Sequence, residues 1–87
     1  MPTVVAHHDV TDTEHWLASP NRQEFFGALG VTGIRTFVDP TSPTRVAVLM
    51  DVPDMDAVMA AMQTEGASAV MDRDGVVADS LVILVEA

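Results

Sequence analysis

The chain has no cysteine, which excludes disulfides and a thiol nucleophile and fits a cytoplasmic setting. Positive charge is scarce too: four Lys and Arg stand against thirteen Asp and Glu, giving a net charge of -9. Such a surplus repels phosphate backbones and anionic lipid, so neither nucleic acid nor a membrane is an expected partner. No apolar run approaches the about 20 residues a membrane-crossing helix needs, and Met1-Pro2 opens directly into strand-like sequence without a basic leader. Neither a membrane span nor a signal peptide is therefore expected. Glycine-rich phosphate loops, nucleophile elbows and zinc-ligand spacings are all missing, and no motif calls for a cofactor.

What is present is apolar. Of the 87 residues, 48% are hydrophobic, and the mean hydropathy of +0.27 is high for a small monomer with a polar skin. A chain of this length has room for one domain and one core and buries roughly 60 to 65% of its unfolded surface. Part of the apolar surplus is expected between subunits, which makes a homodimer the expected assembly.

Thr3 to Val10 is rich in β-branched residues and reads as a strand. Alternation puts Val4, Ala6, His8 and Val10 on one face and Thr3, Val5, His7 and Asp9 on the other, so the neighbouring histidines diverge. Asp12 is placed to cap a short helix carrying Trp16, the only tryptophan. Ser19-Pro20 starts a second helix on which Arg22, Phe25, Phe26 and Leu29 follow helical spacing as far as Gly30. Val31 to Asp39 is the second strand, ended by turn chemistry over residues 39–43. Arg45 to Val52 is apolar nearly throughout and reads as a central strand covered on both faces. Asp54 caps the next helix, whose Met55, Val58, Met59 and Met62 are expected to form one core-facing stripe. Thr64 caps a further helix through Val70, Met71 and Arg73, ended at Asp74-Gly75, and Ala78 to Glu86 is the last strand.

A weak internal repeat supports this division. Asp9-Val10 leading to Asp12 is echoed by Asp51-Val52 leading to Asp54, and Gly30-Val31 by Gly75-Val76. Two tandem βαβ units give βαββαβ, an α+β ferredoxin-like fold with a four-stranded antiparallel sheet and helices on one face. The bare sheet face then needs a cover, and a second copy of the chain is the simplest one.

The pattern His8-x-Val10-x-Asp12-x-x-x-Trp16, then Gly30-Val31, an apolar third strand ending near Asp51, and a Thr64-capped helix with Met71 and Gly75-Val76 resembles the dimeric α+β barrel superfamily. Within it, the nearest likeness is to small antibiotic-biosynthesis-monooxygenase-like and cyclase-like proteins. The resemblance spans nearly the whole chain and implies a homodimer forming an α+β barrel. Its members include cofactor-independent oxygenases, isomerases and haem-handling enzymes. Several of the oxygenases use an Asn, a Trp and an Arg lining a cavity. Here the only asparagine, Asn21, falls at a helix start rather than on a strand, so that set is not carried over, while His8 and Trp16 match positions of the subgroup.

His8 is the candidate catalytic residue: it is in phase with apolar neighbours, is expected to face the barrel interior, and is of the side-chain type that exchanges protons near neutral pH. A structural histidine bonded within the core is the competing role. Arg35 could hold a carboxylate or enolate oxygen, or could pair with one of the many acids. Trp16, Phe37 and Met50 complete the expected ligand contacts, with plain packing as the alternative for each. No metal is expected, since His7 and His8 diverge and His15 lies a turn into a helix; Asp51, Asp54 and Asp56 read as helix-capping acids. Two functions are open: a small cofactor-independent enzyme, monooxygenase-like or cyclase/isomerase-like, acting on a hydrophobic small molecule, or a non-catalytic dimeric module that binds a small molecule or assembles.

Overall fold

The computed structural model describes residues 2–87. Eight elements follow in the order β1 Thr3–Val10, α1 Thr13–Ala18, α2 Asn21–Gly27, β2 Thr32–Asp39, β3 Ser42–Asp51, α3 Met55–Met62, α4 Glu65–Asp74 and β4 Val76–Val85. The strands form one antiparallel sheet in the order β2-β3-β1-β4. This is the ferredoxin-like α+β arrangement, with each helical connection split into two short helices. Among the described residues no helix is long and apolar enough to cross a membrane.

The helix starts are fixed locally. The Asp12 carboxylate accepts from His15 N, Asp54 from Ala57 N, and the Thr64 hydroxyl from Ala67 N, each satisfying a backbone donor the first turn leaves free. At the end of α4, Gly75 turns left-handed at φ 74°, and a Cβ there would also collide with the Thr11 hydroxyl. The β2–β3 hairpin closes through Pro40 and Thr41, so β3 begins at Ser42, three residues earlier than the sequence pattern suggests. The Asp39 carboxylate accepts from Thr41 N and Oγ1, which holds its pKa below the usual range.

Burial along β1 alternates without a break: Val4, Ala6, His8 and Val10 are buried while Thr3, Val5, His7 and Asp9 are half-buried. Across the ladder Val4 faces Met50, Ala6 faces Val48 and His8 faces Val46, so the two central strands present one continuous buried surface to the helices. Trp16, Val31, Val52 and Val58 close over it. On α3 the buried side is centred on Val58, with Met55 and Met62 packed against the core. Met59 is 40% exposed, which corrects the four-residue stripe. The helix is rotated so that half-buried Ala57 and Ala61 turn inward, small residues that allow close approach to the sheet.

The other sheet face carries no helix. Arg35, Phe37, Ala47, Leu49, Val5, His7, Val82 and Leu84 fall on it by register, and Phe37, Val82 and Leu84 are 46%, 41% and 55% exposed.

Candidate active site

Strand phase points His8 into the helix-covered side of the sheet, where it is 6% exposed. Opposite it the β1–β4 ladder is broken: the register shifts between His7 and Asp9, and the Asp9 amide donates to the Ser80 hydroxyl at 2.7 Å in place of a strand carbonyl. The His8 ring is oriented by its own strand. Nδ1 donates to the Asp9 carbonyl at 3.2 Å, which puts the proton on Nδ1 and leaves Nε2 with its lone pair. Burial pushes the imidazole below its ordinary value of 6.5, against the opposing effect of the Asp9 carbonyl, and the Arg22 cation pushes it further down.

Trp16 stands edge-on to this ring, with centroids 5.7 Å apart at 80°. It is 1% exposed and reaches the sheet because α1 is short and starts directly after β1. Arg22, on the first turn of α2, lays its guanidinium over the indole with Cζ 4.0 Å from the centroid. Its Nη1 donates to the Trp16 carbonyl at 2.7 Å, while Nε is buried without a partner. Burial lowers the Arg22 pKa and the nearby Asp74 carboxylate raises it; the group remains a cation. Phe25 and Phe26 of α2, edge to face at 5.2 Å, also lie at the site.

These groups line a cavity of about 70 Å³ between sheet and helices. Ala6, Val48 and Met50 supply its sheet side, Met62 and Met71 come from α3 and α4, and the polar lining is His8, Arg22 and Asp74. A neutral imidazole with a free nitrogen thus shares an apolar space with one cation and one carboxylate. Such a set can take a proton from a weak acid and hold the oxyanion that results. Among the described residues no three His, Asp or Glu side chains converge as metal ligands: His7 lies on the open face, and His15 Nε2 donates to the Arg73 carbonyl.

Of the residues singled out in the sequence, the structure brings His8, Trp16 and Met50 together at the cavity. It places Arg35 and Phe37 elsewhere, on the open sheet face, the guanidinium 5.8 Å from the Phe37 ring. The reason is a register shift between Thr32 and Arg35, where Gly33 adopts φ 64°; beyond it Thr36 and Val38 pair with the buried Val48 and Val46, and Arg35 and Phe37 take the opposite phase. Sequence reasoning missed Arg22 and Asp74. Each left a trace: an arginine in phase with an apolar helical stripe, and a carboxylate in a last helical turn, where the helix dipole disfavours it.

A crystal structure of an antibiotic biosynthesis monooxygenase superposes with a TM-score of 0.64 over 100% of this chain and 97% of that one, at 15% identity. A Bordetella bronchiseptica protein assigned provisionally to the same group gives 0.73 over 99% of this chain and 94% of that one, at 18% identity. The chain shares the fold of these structures. It also matches an ethyl tert-butyl ether D (EthD) family protein from Bacillus halodurans, with a TM-score of 0.58 over 100% of this chain and 97% of that one, at 15% identity. No family model and no curated protein matches the sequence. At these identities the likeness carries the architecture alone.

Proposed function

We propose that the chain is a small cofactor-independent enzyme of the monooxygenase-like or cyclase/isomerase-like kind, a cytoplasmic homodimer acting on a hydrophobic small molecule in the cavity of each subunit. The observation that carries this reading is His8, held neutral with Nδ1 on the Asp9 carbonyl and Nε2 free, beside a cation with a donor to spare. Nε2 accepts a proton from an acidic O–H or C–H of the bound molecule, and Arg22 stabilises the resulting phenolate or enolate in a site with little water. The electron-rich anion then reacts with dioxygen, as in a monooxygenase, or with an electrophilic carbon of its own skeleton, as in a cyclase. Trp16 and Met50 supply flat and pliable apolar contact. The names carried by the structural neighbours support the first branch. The homodimer is supported by the exposed apolar residues on the helix-free sheet face, Phe37, Val82 and Leu84. There Arg35 and Phe37 serve the subunit contact rather than the ligand.

Titration with 2-naphthol, an aryl alcohol that is neutral in water at pH 7, tests the reading. Binding in the naphtholate form, seen as a red-shifted absorbance, is expected for the native protein and is expected to be lost in His8→Ala and Arg22→Gln. One observation favours the alternative of a non-catalytic dimeric module: the cavity, at about 70 Å³, holds a handful of waters, whereas a benzene ring occupies an apolar cavity of about 150 Å³. No binding of 2-naphthol in either form would support that alternative.

A further inference from the structure

Asp74 is the one buried carboxylate among the described residues, 3% exposed, in the last turn of α4. Both the helix dipole and desolvation disfavour negative charge there, and no arginine comes within ion-pair distance. Its Oδ1 instead accepts two hydrogen bonds from one junction, from Ser19 Oγ at 2.6 Å and Asn21 Nδ2 at 3.0 Å. Ser19 in turn accepts from Asn21 N at 3.2 Å, supplying the cap that Pro20 does not give α2. The start of α2 is thereby tied to the end of α4, and the next residue is Arg22. The apolar packing of α2 is only partial: Phe26 meets the core, but none of the helix's residues is fully buried.

We propose that Asp74 is the positioning residue of the cavity: through Ser19 and Asn21 it anchors α2 so that Arg22 lies across Trp16, and its charge holds the guanidinium inward instead of in solvent. This explains why the sequence keeps a carboxylate where the fold disfavours one. It explains as well how Arg22 Nε stays buried without a partner of its own, since a cation beside an unpaired carboxylate tolerates desolvation that an isolated one would not. The inference rests on the reading of Arg22 as the oxyanion partner only for its functional consequence, not for the geometry.

The test follows the Arg22 Nε–H proton by NMR, assigned from its loss in Arg22→Gln. In the native protein it is expected to be observed and protected from solvent exchange. In folded Asp74→Asn its exchange is expected to rise about tenfold or more, with 2-naphthol binding weakened by a similar factor and the double variant with Arg22→Gln no weaker than Arg22→Gln alone. A protected Arg22 Nε–H in folded Asp74→Asn overturns the proposal, as does an unprotected one in the native protein. Should Asp74→Asn fail to fold, Ser19→Ala combined with Asn21→Ala removes the donors and is judged by the same exchange criterion. Failure of the native protein to bind 2-naphthol counts against the proposed function alone, because proton exchange still decides the role of Asp74.

Discussion

Arg22 grips Trp16 from two directions, its guanidinium 4.0 Å from the indole centroid and its Nη1 2.7 Å from the Trp16 carbonyl oxygen. The two residues belong to different helices, so the contact closes the α1–α2 junction at the same time as it builds a cavity wall. A partly desolvated cation over tryptophan contributes on the order of 1 to 2 kcal/mol, which adds to the partial packing of a short helix that buries nothing fully.

The His8 imidazole is expected to titrate below 6.5 because its burial disfavours the charged form. Its folded value lies below its unfolded one, so the unfolded chain takes up the proton first as pH falls. The stability His8 contributes is therefore complete above about 6.5 and is lost as pH falls through the folded value. An NMR titration of the three histidines, alongside melts at pH 7.5 and pH 5, checks both halves. A His8 that titrates at or above 6.5 contradicts the prediction.

On α3, Val58→Ala removes a side chain only 2% exposed and is expected to cost about 2 kcal/mol, whereas Met59→Ala is expected to cost less than about 0.5 kcal/mol. Urea unfolding of the two variants measures the contrast. Equal losses would mean that Met59 is covered in the protein in solution.

Gly75→Ala should destabilise by about 1 to 3 kcal/mol, since it forces a side chain into the left-handed region and against Thr11. The Thr11 amide also donates to the Gly75 carbonyl at 2.9 Å, so relaxation there would disturb the exit from β1. Thermal denaturation should show the loss, and pairing with Thr11→Ala should restore only the steric part.

The helix-free sheet face is expected to pair with its counterpart in a second subunit. Leaving Phe37, Val82 and Leu84 in water forgoes roughly 1.5 to 3 kcal/mol for each side chain that could be fully buried. Sedimentation over a dilution series should find a dimer at low micromolar concentration, and Leu84→Glu should shift it towards monomer. A folded native monomer under those conditions would sink the expectation.

Local rules made much of the fold legible. The caps at Asp12, Asp54 and Thr64 need only a side-chain oxygen a few residues from a free amide, and the divergence of His7 and His8 needs only strand alternation. The same economy misleads wherever phase is reset. Met59 follows the helical repeat of Met55 and Met62, but the repeat does not say which flank of the stripe meets the sheet, and the alanines decided it. Arg35 sits beside Ile34 in sequence, yet Gly33 shifts the register, and only Ile34 packs on the core.

The sequence by itself determined the order of strands and helices, the alternation that buries His8, and the apolar excess left on the second sheet face, because each follows from near-neighbour spacing and side-chain chemistry. Only the tertiary structure decided which cation serves the cavity. Arg22 lies over Trp16 and shares the cavity with His8 because the end of α4, more than fifty residues away, holds the start of α2 through Ser19, Asn21 and Asp74. A contact over that separation depends on how the helices settle on the sheet, and no local spacing encodes it.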